Sequence, residues 1–329
     1  LLRFFYLLIS LILPIIFYKI LKIRFKGQDK NILFLISSLI FLSPYFRSSA
    51  VWITTDNLAL LFIILSVYFF VNFENNQKKE LKYLFYCFFF LILASYIRHY
   101  YSIFFVFYFF FIQHKIKLIK NFYIILFNFI FSIPAIIYLF YFIKKDRDYV
   151  VFNNFSFISL DFIFNFLVFT SLFLFFMISF LLSRKTLNVF FSLLKIKKKI
   201  ITIIIAIFLL FFLIYNVPLH EFGGGVFYKI SKLTYLSLFF FFSLIGALML
   251  YIINKNNLTN NLIYFILVIS FPKNIIFQKY YDPLLFVLIL TLFDSKFISD
   301  LINEKKLSLL LIYCYFLFFL IFCNIYYTY

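Results

Sequence analysis

The sequence predicts an all-α protein that crosses a membrane many times, and three observations support this. Of the 329 residues, 66% are apolar, and charged residues make up 13%, well below the quarter that is usual in soluble domains. The apolar residues form continuous runs rather than alternating strand patterns, and helices satisfy their own backbone in lipid. Because the connections between runs are short, we expect a single transmembrane domain over residues 1–329.

Twelve apolar runs indicate about twelve membrane segments. They cover residues 4–18, 31–45, 57–73, 83–97, 100–113, 121–143, 157–183, 200–216, 234–253, 261–271, 283–293 and 307–326. One helix over residues 81–113 would be about 50 Å long, which exceeds a bilayer core of about 30 Å. We therefore expect two short helices that meet near Arg98.

The chain begins with Leu1, inside an apolar run and without a charged leader or cleavage site. We interpret it as a chain that lacks its N-terminal part. A further span and a first external loop are expected upstream of the sequence.

The net charge of +19 comes from Lys and Arg in short loops between the runs. Such loops are typical of topology signals rather than of a nucleic-acid surface, so no nucleic-acid partner is expected. Alternate loops hold 21 of the 31 basic residues, at positions 19–30, 78–82, 115–120, 184–199, 255 and 296–306. The positive-inside rule places these loops in the cytosol.

The opposite, non-cytosolic face then receives four polar clusters. They are RSSAVWITTDN (47–57), SYIRHYY (95–101), VPLHEFGGGVFYK (217–229) and FPKNIIFQKYYDP (271–283). Their convergence on one face indicates a functional site there. The three cysteines lie inside apolar runs without metal-ligand or disulfide spacing, so neither a zinc site nor a disulfide framework is expected.

Asp56 stands at the start of a long apolar segment and has two interpretations. Thr54, Thr55 or Asp56 caps the helix that begins near Asn57, where the helix dipole favours a carboxylate. Alternatively, the Asp56 carboxylate acts as a base, orients an acceptor hydroxyl or holds a metal. The two interpretations are compatible.

Arg98 and His99 lie where the two short helices should meet. An arginine deep in a span is costly unless it contacts an anion or water, so a phosphate partner is expected for Arg98. The alternative is a side chain that extends from a helix end to the membrane surface.

Two further clusters carry the remaining candidates. His220 and Glu221 precede three consecutive glycines, which allow either a close approach of the backbone to a ligand or a plain flexible turn. In the last cluster Lys279 and Asp282 are three residues apart and are candidates to pair. Tyr280 and Tyr281 also fit aromatic residues of the membrane interface.

The order of these segments resembles the GT-C superfamily of membrane glycosyltransferases. The segments RFFYLLISLILPIIFYKIL and LSPYFRSSAVWITTDNLALLF resemble an Arg-led span and a later Thr-Asp before an apolar helix. The closest resemblance is to the endoplasmic reticulum dolichyl-phosphate-glucose-dependent α-1,2-glucosyltransferases. Ile53 and Thr54 replace that family's aromatic pair before Thr-Asp, and of its Phe-Arg-Gln-Thr-Asn motif residues 97–101 keep only the Arg. HEFGGGVFYK and QKYYDP match its external loop and its C-terminal motif loosely.

The resemblance implies transfer of a hexose, with glucose favoured, from a polyprenyl- or dolichyl-phosphate sugar to a lipid-linked glycan on the non-cytosolic face. Asp56 and Glu221 are the expected catalytic carboxylates. The expected donor-phosphate ligands are Arg98, His99 and Lys279, and the expected acceptor or loop residues are His220, Gly223, Gly224, Tyr281 and Asp282. No cofactor is implied, although a divalent metal stays open.

Two other classes fit the same features. In a transporter or flippase, Asp56, Arg98 and Asp282 would form a charged path through the membrane. An O-antigen-type polymerase would also use lipid-linked sugars at the external face. The expected location is the endoplasmic reticulum membrane or a bacterial inner membrane.

Overall fold

The computed structural model describes most of the chain, and every regular element that it contains is helical. The described residues are 2–76, 80–113, 118–145, 162–181, 187–188, 191–192, 198–220, 223–254, 257–270, 276–293, 302 and 306–328. They fall into two compact units. Unit 1 is Leu1–Gly27, Phe46–Leu160 and Leu262–Pro272, and unit 2 is Gln28–Tyr45, Asp161–Asn261 and Lys273–Tyr329.

Fourteen α-helices lie within the described residues. In chain order they are α1 (Leu2–Arg24), α2 (Lys30–Ser38), α3 (Pro44–Val51), α4 (Asp56–Asn75), α5 (Leu81–Ile97), α6 (Phe104–Gln113), α7 (Leu118–Lys145), α8 (Phe162–Leu181), α9 (Lys198–Ile214), α10 (Gly225–Leu233), α11 (Ser237–Asn254), α12 (Leu258–Ile269), α13 (Leu284–Thr291) and α14 (Lys306–Thr328). Short 3₁₀ turns occupy Leu39–Leu42, His99–Ile103 and Gln278–Tyr280. Each of the twelve predicted runs contains a helix. The helices α3 and α10 lie in polar clusters where the sequence predicted none.

Helix α4 is the core of unit 1, with α1 and α5 packed against it. Its Ala59, Ile63 and Phe73 are fully buried. The aromatic rings of Phe69 on α4 and Phe90 on α5 stack with their centroids 5.5 Å apart. Continuous apolar sequence on α4 is therefore explained by neighbours on more than one side of the helix.

The exposed faces of unit 1 are also apolar. On α1 the exposed residues include Phe4 and Leu11, while Leu13 and Phe17 on the other face are fully buried. Exposed aromatic and aliphatic side chains also follow α7, as at Phe129. A water-soluble protein rarely exposes so many large apolar side chains on neighbouring turns of a helix, so these faces are suited to lipid.

Unit 2 is organised around α8, which packs closely against α11. The Ser243 hydroxyl of α11 donates a hydrogen bond of 2.8 Å to the carbonyl oxygen of Leu167 on α8. Gly246 of α11 lies against the backbone of Thr170 on α8. Small side chains at a contact of this kind let two helix backbones approach each other, as is common between membrane helices.

The lengths of the helices agree with a membrane protein. Among the described residues, Leu2–Arg24 and Asp56–Asn75 are each long and apolar enough to cross a bilayer. A third candidate arises if the bent pair Lys30–Leu42 and Pro44–Val51 counts as one span. The expectation of an all-α protein is confirmed for the described residues, and the apolar helices are consistent with a membrane protein. The count of twelve spans, the single domain and the GT-C-like fold stay predictions.

The predicted topology can be tested by cysteine labelling. With the native cysteines replaced by alanine, Leu219→Cys places a thiol on an exposed side chain beside His220. A membrane-impermeant maleimide should label it only from the non-cytosolic side. Lys26→Cys, at an exposed position in a predicted cytosolic loop, is the matched control and should be labelled only from the cytosol. The reverse pattern would contradict the assignment of faces.

Candidate functional site

The structure joins Asp56 and Arg98, the two strongest candidates from the sequence. Arg98 Nη2 lies 2.7 Å from Asp56 Oδ1, and about one third of each side chain is exposed. The two residues belong to different polar clusters and are both in unit 1. The result is an ion pair of a carboxylate and a guanidinium at the ends of two apolar helices.

Arg98 reaches this position because the chain breaks where the length argument predicted. Helix α5 ends at Ile97, and Arg98 has extended backbone with φ −136°. The Arg98 amide still donates to the carbonyl oxygen of Ala94, and its own carbonyl oxygen accepts from the amide of Tyr101 in the following 3₁₀ turn. At this break the Arg98 side chain extends toward the start of α4, where its guanidinium contacts Asp56.

The start of α4 is held by residues other than those the sequence suggested as caps. Thr55 occupies the cap position without a side-chain hydrogen bond to the helix. The backbone amide of Asn57 instead donates to the Ser49 hydroxyl at 3.2 Å. Asp56 lies in the first turn, where the helix dipole favours its charge, and its carboxylate contacts Arg98. Simple capping therefore does not account for this carboxylate.

Sequence reasoning missed two residues that position Asp56. The Asn57 side chain is buried and donates to the Ser10 hydroxyl at 2.8 Å and to the Phe46 carbonyl oxygen at 2.9 Å. Ile53 has φ +56°, an unusual conformation for a β-branched residue, and such strain is often found at functional sites. An amide at the edge of an apolar helix was a visible signal for Asn57, whereas nothing local predicted Ile53.

His99 follows Arg98 in the 3₁₀ turn and is exposed. Its ring lies edge-on to that of Tyr100, with the centroids 6.1 Å apart. His99 is therefore the sequence neighbour of one member of the ion pair and lies at the surface of unit 1.

The glycine triplet belongs to unit 2 and has a backbone conformation that requires glycine. Gly223, Gly224 and Gly225 have φ of 86°, 74° and 78°, a region that favours glycine. A Cβ on Gly224 would lie 2.1 Å from the ring of Tyr228. The Gly224 amide donates to the carbonyl oxygen of Ile276 at 2.8 Å. The positive φ angles and the contact with Tyr228 explain why glycine is needed here, since they allow a close approach within the protein.

His220 is held beside this triplet through Tyr228. The Tyr228 hydroxyl accepts from the His220 amide at 2.8 Å and donates to the Pro218 carbonyl oxygen at 2.6 Å. The His220 carbonyl oxygen accepts from Lys232 at 3.2 Å. Glu221, the second predicted catalytic carboxylate, lies outside the described residues.

The last polar cluster contacts the glycine triplet. Gln278 Oε1 accepts a hydrogen bond of 3.1 Å from the backbone amide of Val226. Tyr281 is fully buried against Phe169, with ring centroids 5.3 Å apart. The interfacial position considered for Tyr281 is therefore wrong, whereas Tyr280 is partly exposed.

Lys279 and Asp282 do not pair with each other. Asp282 is buried, and this burial raises the pKa of its carboxyl from 3.8 to about 7, although hydrogen bonds with Ser43 and Gln278 act in the opposite direction. Lys279 is exposed, and its ammonium lies 5.4 Å from the ring centroid of Phe277. The Asp282 side chain therefore lies in the interior of the protein, whereas the Lys279 side chain lies at its surface.

A cavity of about 220 Å³ lies between the glycine triplet, α10, the last polar cluster and α14. Its lining includes Gly225, Lys229, Phe277, Lys279 and Phe322. Three of the predicted site positions, Gly223, Gly224 and Lys279, therefore lie at or next to one pocket of unit 2. Within the described ranges, no group of three His, Cys, Asp or Glu residues is arranged to hold a metal ion.

Comparisons of the chain with protein-family models, with curated proteins and with solved structures found no match.

Proposed function

We propose that the chain is a membrane glycosyltransferase that moves a hexose from a polyprenyl-phosphate sugar to a lipid-linked glycan on the non-cytosolic face. The observation that supports it most is the contact between Asp56 and Arg98. The sequence selected these residues separately, as a base and as a phosphate ligand. Their meeting in unit 1 gives the two groups that such a transfer needs at one place.

The Arg98 guanidinium has N–H donors, beyond the nitrogen that contacts Asp56, that can bind a phosphate. The guanidinium carries five N–H groups in a planar fork, and one of its nitrogens contacts Asp56. Its Nε is buried and has no hydrogen-bond partner within the described residues. A buried N–H without a partner costs about 1–3 kcal/mol, which an anionic ligand would recover. A phosphate that binds two guanidinium nitrogens in parallel fits this side chain.

The existing ion pair does not prevent this role. A partly exposed pair is worth only about 0–1 kcal/mol, so a phosphate can displace or share it at small cost. Binding of the donor phosphate to Arg98 would then release the Asp56 carboxylate to face the acceptor. In the transfer, the acceptor oxygen attacks the anomeric carbon, the bond from that carbon to the phosphate oxygen breaks, and the hydroxyl proton passes to Asp56. The leaving group is the polyprenyl phosphate, whose charge Arg98 stabilises.

The identity of the sugar and of the acceptor derives from the resemblance to the α-1,2-glucosyltransferases. It favours glucose and a lipid-linked oligosaccharide, in the endoplasmic reticulum or a bacterial inner membrane. The apolar faces of the helices are suited to the polyprenyl chain, as they are to other lipids.

Asp56→Asn tests the role of the carboxylate. Asparagine keeps the size and the capping ability of aspartate but loses the charge and the basicity, so folding should be nearly unchanged. We expect transfer of labelled glucose from polyprenyl-phosphate glucose in proteoliposomes to fall by about a hundredfold or more, since general bases contribute about 10²–10⁴ in rate.

Asp29→Asn is the matched control. Asp29 is an exposed aspartate whose side chain caps α2 through the Asn31 amide, and the same substitution there should leave transfer unchanged. Wild-type transfer by an Asp56→Asn protein present in equal amount would remove Asp56 from the chemistry. Transport of a lipid-linked sugar without any transfer would instead support the flippase alternative.

A further inference from the structure

The cavity of unit 2 combines an apolar wall with two cations. Phe277, Ile230 and Phe322 contribute apolar surface, and Lys229 and Lys279 contribute the two ammonium groups. No carboxylate is among the described residues that line it. The nearby carboxylate of Asp282, three residues after Lys279 in the chain, is buried and interacts with Ser43 and Gln278. The lining is therefore complementary to an anionic group that carries an apolar chain.

Two backbone amides next to the cavity are already hydrogen-bonded within the protein. The Val226 amide donates to Gln278 and the Gly224 amide donates to Ile276, so these N–H groups are already used. The glycine triplet packs directly against Tyr228. An anionic group in this cavity would therefore be bound by the ammonium groups of Lys229 and Lys279 rather than by backbone N–H groups.

The size and the surroundings of the cavity indicate how a ligand would lie. At about 220 Å³ it is smaller than the roughly 300–1,000 Å³ of pockets that enclose a drug-sized ligand, so it suits one end of a longer molecule. Two of its lining residues are strongly exposed: Leu233 is 74% and Phe322 is 44% exposed. These side chains continue the apolar wall onto the exposed surface of unit 2.

We propose that this cavity binds the phosphate headgroup of a membrane lipid, with Lys229 and Lys279 on the phosphate and the chain leaving along Leu233 and Phe322. The proposal goes beyond the proposed function, because binding here requires no sugar transfer. A polyprenyl phosphate and a common phospholipid share this chemistry, and the test below distinguishes them.

The test measures binding of tritiated polyprenyl phosphate to the purified full chain in phosphatidylcholine nanodiscs. Lys229→Gln and Lys279→Gln should each weaken binding by about tenfold, because each removes a charge-assisted hydrogen bond to the phosphate. Lys232→Gln is the matched control. Lys232 lies on the same helix and loses the same charge, but it contacts the His220 carbonyl oxygen and does not line the cavity, so affinity should stay at the wild-type value.

Three competitors identify the occupant. Unphosphorylated polyprenol should compete poorly, because it lacks the phosphate. Competition by phosphatidic acid would show that the site accepts a common phospholipid headgroup, which supports the lipid-phosphate proposal without selectivity for polyprenyl chains. Inorganic phosphate that competes as well as the lipid would overturn the lipid part of the proposal. Equal affinity of Arg98→Ala, which lacks the proposed donor site, and of an Arg98→Ala, Lys229→Gln, Lys279→Gln variant of normal thermal stability would overturn the site itself. Wild-type binding without transfer would leave this site intact and count against the glycosyltransferase alone.

Discussion

Replacing Arg98 by alanine is expected to reduce sugar transfer by about a hundredfold or more. The substitution removes the cation that would neutralise the donor phosphate and stabilise it as it leaves, and loss of one such electrostatic contact costs about 10²–10³ in rate. Arg98→Lys keeps the charge but loses the planar fork that binds two phosphate oxygens, so we expect an intermediate loss. The measurement is the rate of glucose transfer in proteoliposomes at several donor concentrations.

The structure lets this experiment separate chemistry from folding. The Arg98 and Asp56 side chains are each about one third exposed, so loss of the pair should change the free energy of unfolding by only about 0–1 kcal/mol. Arg47→Ala is the matched control and should leave the transfer rate unchanged. Arg47 is an exposed arginine of α3 and is predicted to lie on the same side of the membrane as Arg98. Transfer at the wild-type rate by Arg98→Ala would exclude Arg98 from the donor site. If the wild type transfers from no polyprenyl-phosphate sugar, the enzyme proposal fails altogether.

The sequence predicted the helices well because apolar runs in a membrane protein must satisfy their backbone internally. Length alone predicted the break at Arg98, where α5 ends and a 3₁₀ turn begins. Charge asymmetry predicted that Asp56 and Arg98 lie on the same side of the membrane, but neither spacing nor composition predicted that they would touch. That contact depends on how α4 and α5 pack and on the turn around Ile53, whose conformation no local pattern predicts.

The polar clusters were harder to predict because tertiary packing overrides their local signals. Helix α10 begins at Gly225, a poor helix former, and is stabilised by burial of Phe227 and Tyr228. Lys279 and Asp282 are three apart, a spacing that makes neighbours on a helix. A short 3₁₀ turn ends at Tyr280, so the chain turns Asp282 inward while Lys279 stays exposed.

Gly246→Ala is expected to destabilise unit 2 by about 3 kcal/mol or more, toward the upper end of overpacking costs. A Cβ at this position would lie 1.9 Å from the Thr170 carbonyl oxygen and 2.7 Å from its carbonyl carbon. Because both atoms belong to the backbone of α8, no side-chain rotation relieves the clash, and α8 and α11 must move apart. The sign of the effect is informative. In a helix interior, alanine is intrinsically favoured over glycine by about 1 kcal/mol, so a loose contact would give stabilisation instead.

Ser243→Ala supplies the control for the same helix pair. It removes the hydrogen bond to the Leu167 carbonyl oxygen but adds no atoms at the contact, so we expect a loss of only about 1 kcal/mol. Both variants are compared with the wild type by thermal unfolding in one detergent, because detergent composition itself changes stability. A Gly246→Ala protein that unfolds at a higher temperature than the wild type would show that α8 and α11 are not in close contact at Thr170. A large loss in Gly246→Ala with a small one in Ser243→Ala would show that the separation of the two backbones, more than the hydrogen bond between them, determines the stability of unit 2.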